Sequence, residues 1–190
     1  AIRVRMVLEE KGLPYNRIEE NLNSLSSELL ALHPEGKVPL LVHSVAGEKR
    51  VIYQSSIITE YLDETFPESL LMPQEPASRA QVRLWTYWCD TLFKPDLDLF
   101  KYERKEMSAS KSTELQVRLH KHFEHWNSTL TSHKYILGDQ LTLADIHLFP
   151  FARQFMASKP PLDGIENYSA IAAWLEGMLK RPSFERCMAK

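Results

Sequence analysis

HPEGKVPLLVHSVAGEKRVIYQSSIITEYL, running from His33 to Leu62, carries two short apolar runs, a turn between them and the start of a helix. Val38-Pro39-Leu40-Leu41-Val42 is bounded by Gly36 on one side and by a glycine and charge cluster on the other. Val51-Ile52-Tyr53 is the second run, and Ala46-Gly47-Glu48-Lys49 supplies the turn, so the pair predicts an antiparallel hairpin. Ser55 stands where a helix N-cap belongs, its hydroxyl able to accept a hydrogen bond from an open N–H of the next turn. Ile57, Ile58, Tyr61 and Leu62 follow at helical spacing. Pro39 opens the first run, a position at which a sheet tolerates proline. The Val38–Pro39 bond is either trans, the default, or cis, in which case the backbone of Val38 turns outward and can pair with the backbone of a ligand.

The order Pro34-x-Gly36-x-Val38-Pro39-x-Leu41, then Gln54-Ser55 opening a helix that ends Tyr61-Leu62-Asp63-Glu64, resembles the glutathione-binding half of the glutathione transferase family. The resemblance implies a cis-proline at Pro39. It also implies that Val38 pairs its backbone with the cysteinyl part of glutathione, that Gln54 and Ser55 hold the γ-glutamyl carboxylate, and that Lys37 approaches the glycyl carboxylate. The physics of the helix start agrees, since an anion there meets open N–H groups and the positive end of the dipole. Without a ligand, Ser55 is an N-cap, Gln54 a surface residue and Lys37 a solvated lysine.

Length and composition bound the rest. The chain has 190 residues, 44% hydrophobic, with a formal net charge of −2, enough for a packed core and without the basic surplus of a nucleic-acid or anionic-membrane binder. Cys89 and Cys187 form no metal-ligand or Cys-x-x-Cys pattern, no membrane-length apolar run or leader pattern is visible, and a reducing, cytoplasmic location is expected.

Residues 2–11 read as a helix with Val4, Val7 and Leu8 on one face and Gly12 just past its end. Asn16–Glu19 reads as a strand, and Ser26 to Leu32 as a short helix capped by Ser26 or Ser27. Helix, strand, helix, strand, strand, helix is a thioredoxin-like α/β half lacking its first strand, which a parallel βαβ unit needs and which is expected upstream of Ala1. The expected domains are residues 1–66, a proline-bearing linker at 67–77 and an all-α domain at 78–190. In that second domain Trp85, Trp88, Cys89 and Leu92 mark one helical face, which Pro95 breaks or kinks, with a further helical turn or two expected through Leu97 to Tyr102. Leu115, Leu119, Phe123, Trp126 and Leu130 mark another helix, and Ile171, Trp174, Leu175, Met178 and Leu179 a later one, stopped by Pro182. Thr142-x-x-Asp145 is a variant capping box that opens a helix apolar nearly all round. The same box resembles the C-terminal signature of the transferase family, which extends the resemblance over almost the whole chain.

No catalytic residue is assigned within the chain. Ala1-Ile2-Arg3-Val4-Arg5 resembles the tail of the family's Cys/Ser-Pro-aromatic-Ala-x-Arg opening, and the resemblance implies a key residue about three positions upstream of Ala1. A Ser there would hydrogen-bond a glutathione thiolate, and a Cys would act as nucleophile, as in omega-like and bacterial members. Cys89 reads as core. His120, His122 and His125 lie on one helix with no partner fixed by sequence, and read as a solvated face; no metal is expected. The chain is therefore expected to be an enzyme of the transferase family, taking glutathione as cosubstrate with an apolar or disulfide partner, and homodimeric as the family is. The run from Tyr53 to Pro67 also resembles the bacterial stringent starvation protein, a transferase-like partner of RNA polymerase. That implies the alternative of a non-catalytic adaptor on the same fold.

Overall fold

Helix α1 (Ile2–Glu10) buries Arg3, Val4, Met6, Val7 and Leu8. It closes in a Schellman turn: Gly12, at φ +63°, donates its N–H to Glu9 O at 3.2 Å, and Leu13 donates to Leu8 O at 2.9 Å. The structure, a computed structural model, describes residues 1–189.

After α1 the expected strand at Asn16–Glu19 does not form. A strand exists only where a neighbour takes up its backbone groups. The described sheet holds two strands that pair with each other, and residues 16–19 join neither. Ile18 and Leu22 lie exposed instead. Helix α2 (Ser27–Leu32) starts where expected, with the Ser26 hydroxyl accepting from Leu29 N–H at 3.1 Å. Glu20 locks that cap by accepting from the Ser26 N–H at 3.0 Å and its hydroxyl at 2.6 Å.

Strands β1 (Leu40–Val45) and β2 (Glu48–Tyr53) form the hairpin, in register from Leu40 opposite Tyr53 to Val45 opposite Glu48. The turn is tighter than the four residues expected. Ala46 and Gly47 alone make it, both at positive φ (+50° and +86°), the two-residue form whose twist matches the strands. Pro39 lies just before the ladder, not in it. Helix α3 (Ser55–Thr65) follows and packs on α1. The ends of α1 and α3 are tied by Lys11. Its ammonium meets Asp63 Oδ1 at 2.8 Å and the carbonyls of Glu68 and Ser69 at 3.1 Å each, three acceptors for three protons.

The chain clusters into two compact units, residues 1–70 joined by the chain end from Arg186, and Leu71–Glu185. In the second unit Glu75 caps helix α4 (Pro76–Trp88), accepting from Ala77 and Ser78 N–H at 2.9 and 2.6 Å. Pro76, expected in the linker, is instead the first residue of α4, where a missing N–H costs nothing.

Pro95 does not break the helix. A π turn at Cys89–Phe93 leads into α5 (Lys94–Asp98), and a second π turn at Leu99–Glu103 follows. The wider turn, in which Lys94 N–H reaches back to Cys89 O, makes room for the proline ring and bypasses its absent donor. It also inserts a residue into the helical count. The buried face becomes Trp85, Cys89, Phe93, Leu97 and Phe100, while Leu92, expected on that face, is 52% exposed.

Helix α6 (Ala109–Thr131) buries Leu115, Leu119, Phe123, Trp126 and Leu130, the spacing read from sequence. Helix α7 (Leu143–Met156) is buried along most of its length. At its start Asp145, fully buried, accepts from Thr142 N–H and hydroxyl at 3.0 Å, Ile136 N–H at 2.9 Å and Trp174 Nε1 at 3.0 Å. Helix α8 (Ser169–Leu179) supplies Trp174, and Pro182, expected only to stop it, begins α9 (Pro182–Met188). Around Phe93, Phe123, Trp126 and Phe155 the second unit closes on an aromatic core, with ring centroids 4.7 to 6.0 Å apart for Phe93 against Phe123, Trp126 and Phe155 and for Phe123 against Phe155. No described helix is long and apolar enough to cross a membrane.

Candidate functional site

The first unit presents two adjoining features, the loop before β1 and the junction from β2 into α3. In the loop, His33 is buried and its Nδ1 accepts the Glu35 N–H at 3.0 Å, which leaves the ring proton on Nε2 in the neutral form. The same imidazole lies against Tyr53, ring centroids 4.5 Å apart, and so ties the loop to β2. The Val38–Pro39 bond is cis. Val38 precedes the ladder, is 38% exposed, and neither its N–H nor its C=O is hydrogen-bonded among the described residues. Lys37 pairs with Glu35 at 2.5 Å, both side chains well exposed.

The β2–α3 junction corrects one expectation. Gln54, not Ser55, is the N-cap, at φ +67° and ψ +117°, and its side chain makes no capping bond. Backbone strain of this kind in a non-glycine residue persists only where the surroundings hold it, and such residues cluster at ligand sites. With the helix starting one residue earlier than expected, Ser55 is its first residue and not its cap, and the Ser55 hydroxyl accepts from Arg3 Nη1 at 3.3 Å. The α3 carbonyl-to-amide ladder begins with Ile58 N–H to Gln54 O at 2.9 Å, so the N–H groups of Ser55, Ser56 and Ile57 have no acceptor within the helix.

Arg3 was not anticipated as part of this site. It is 6% exposed, on the buried face of α1, and brings a guanidinium to the positive end of α3. Its sequence signal was weak, because an arginine at a core position of a helix is visible only once that face is known to be buried. Gln54, Ser55 and Arg3 thus bring polar donors to the start of α3, whose first turn has no acidic residue, an arrangement chemically suited to a carboxylate.

The second unit carries a separate charged cluster. Asp96, 8% exposed on α5, accepts from Arg118 Nε at 3.1 Å and Nη2 at 2.9 Å and from His122 Nε2 at 3.1 Å. The expected solvated histidine face is therefore half wrong. His122 is half-buried between Trp88 and Phe93, whose rings meet its edge. Burial holds its imidazole below the usual histidine range, against the opposing pull of Asp96. His125 is exposed but stacks on Trp85, centroids 4.7 Å apart, and His120 shares a hydrogen bond with Tyr168. Partners for these side chains come from helices far along the chain, which no sequence window reveals. Cys89 and Cys187 are buried thiols. No described group of side chains has the makings of a metal site.

Residues 1–65 match the family model for the glutathione S-transferase N-terminal domain, and residues 102–177 the model for the C-terminal domain. The chain is 30% identical over 187 residues to the stringent starvation protein A homolog of Haemophilus influenzae, covering 96% of this chain and 82% of that one. The chain belongs to the glutathione S-transferase family. A shorter match, 43% identical over 101 residues, joins it to the probable glutathione S-transferase GSTU6 of Oryza sativa subsp. japonica, covering 50% of this chain and 41% of that one. The fold is that of a glutathione transferase family member from Pseudomonas fluorescens solved with two glutathione bound, at a TM-score of 0.85 and 23% identity over 98% of this chain and 86% of that one.

Proposed function

We propose that the chain binds glutathione along its first unit and supports reaction of the bound thiol, by conjugation to an electrophile or by thiol–disulfide reduction. The observation that carries this is the start of α3, where Ser55 at the first helical position, three unclaimed N–H groups and the buried Arg3 converge. There the γ-glutamyl carboxylate replaces solvent, with Gln54 beside it. Val38 offers one N–H and one C=O to the cysteinyl backbone, an antiparallel pairing of the kind an open strand end makes. Lys37, already a surface cation, needs only to leave Glu35 to meet the glycyl carboxylate. Binding in this mode holds the cysteinyl sulfur at one place, and the step that follows is positioning of a thiolate. The thiol-activating side chain is not assigned to residues 1–189.

A second function is favoured by one specific observation, the match along 96% of the chain to a stringent starvation protein A homolog. On that account the same fold is a non-catalytic adaptor for a protein partner, and the α3 start is structural.

Calorimetric titration with reduced glutathione separates the two. Saturable binding that weakens by roughly tenfold or more in Ser55→Ala, the loss expected for one charge-assisted hydrogen bond, supports the enzyme. Absence of binding at millimolar glutathione removes it and leaves the adaptor.

A further inference from the structure

The second unit holds a cavity of about 160 Å³ that no part of the glutathione site uses. Its floor is Phe100, Leu115 and Leu162, each at most 5% exposed. Its rim carries Arg104, Ser112, Gln116 and Asp163. Arg104 is the fixed point. Its guanidinium lies over the Phe100 ring, 4.3 Å from the centroid, and its Nη1 donates to Pro160 O at 2.6 Å. Stacking and hydrogen bonding together hold the planar fork in place, while Nε and Nη2 find no acceptor among the described residues. The side chains of Ser112 and Gln116 likewise make no hydrogen bond to another described residue.

We infer that this cavity is a binding site for a small aromatic monocarboxylate. The volume equals that of about five water molecules, which admits one ring and a short acid chain but not a drug-sized ligand. A ring on the Phe100–Leu115–Leu162 floor removes apolar surface from water, and the carboxylate takes the pre-set fork of Arg104 with Ser112 and Gln116 as neutral donors. Arg104 is worth more here than a free surface arginine, because its side-chain freedom is already lost in the empty protein. Asp163, exposed at the rim, repels a second negative charge and so selects monocarboxylates over dicarboxylates.

The site is independent of glutathione. Titration of phenylacetate into the full chain, followed by protein NMR chemical shifts, is expected to move resonances of Leu115, Leu162 and Arg104 saturably at millimolar concentration. Phenylacetamide, the same shape without the charge, binds at least roughly tenfold more weakly, and so does phenylacetate to Arg104→Met. Phenylmalonate binds worse than phenylacetate, and Asp163→Asn narrows that gap. Ser55→Ala leaves all of these unchanged. The inference is overturned if phenylacetate fails to bind, or if wild-type protein binds phenylacetamide equally well, a comparison that needs no variant to fold. It is overturned too if Arg104→Met, melting as the wild type does, keeps full affinity.

Discussion

Two buried cations set the chemistry of the first unit at the scale of single residues, and they do different things. Lys11 is sealed, its side chain and that of Asp63 each 1% exposed, with every proton accepted. Removing the ammonium takes an opposite charge from the buried Asp63 and a donor from two carbonyls, so Lys11→Met is expected to cost about 2–5 kcal/mol. A chemical-denaturation midpoint measures it, and Asp63→Asn in the same background should return part of the loss. Arg3 is buried too, but it reaches the Ser55 hydroxyl at the open end of α3. If the α3 start binds a carboxylate, Arg3→Lys, which keeps the charge and gives up the fork, should weaken glutathione binding. Equal affinity in calorimetry would confine Arg3 to packing.

Among elements, the backbone decides more than the side-chain pattern does. The hairpin turn places Gly47 at φ +86° with open space where a Cβ would stand. The penalty of Gly47→Ala is then purely one of backbone conformation, about 1 kcal/mol in thermal or denaturant unfolding. The π turn at Cys89–Phe93 makes a sharper claim. Uninterrupted α-helical spacing from Trp85 points to Leu92 as core, whereas the structure buries Phe93 completely and leaves Leu92 half in solvent. Phe93→Ala should therefore cost about 3–5 kcal/mol, and Leu92→Ala well under half of that. Comparable losses from the two would mean that the helix runs through Pro95 in plain α register.

For the whole molecule, the pH dependence of stability follows from the Asp96–Arg118–His122 cluster. The groups facing His122 are Asp96 and Arg118, with Trp88, Phe93 and the ring of His125 nearby. Burial, the larger influence, lowers the folded-state pKa of His122 below its unfolded value of 6.5, and the Asp96 carboxylate only partly opposes it. The unfolded chain then binds more protons than the native one between those two values, so the contribution of His122 is full above pH 6.5 and is lost as pH falls through that window. Wild-type protein should lose more stability between neutral and mildly acid pH than His122→Gln does. Equal losses in denaturant titrations at the two pH values would show that Asp96 cancels burial, and a smaller loss in the wild type that Asp96 outweighs it. Because His122 borders Trp88, tryptophan emission should report the same titration.

Local sequence settled much of what depends on local chemistry. The hairpin, a cap at Ser26 or Ser27, the glycine that ends α1, the Thr142-x-x-Asp145 box and the buried stripe of α6 were all legible, because each is a matter of spacing or of one residue's conformational preference. So was the family, through the order Pro34-x-Gly36-x-Val38-Pro39 and Gln54-Ser55. What failed were the statements that need a neighbour. Asn16–Glu19 looks like a strand, but a strand is a pairing and the described sheet gives it none. Ser55 looks like a cap, but Gln54 takes the cap position, and the freed hydroxyl finds an arginine 52 positions away in the chain. His122 looks solvated until Asp96 and two aromatic rings arrive from another helix. Sequence alone determined most of the helices, the hairpin and the family they build, since propensity and periodicity act over a few residues. Tertiary structure alone decided which charges are buried and which donors are left open, since burial and pairing depend on residues that only folding brings together.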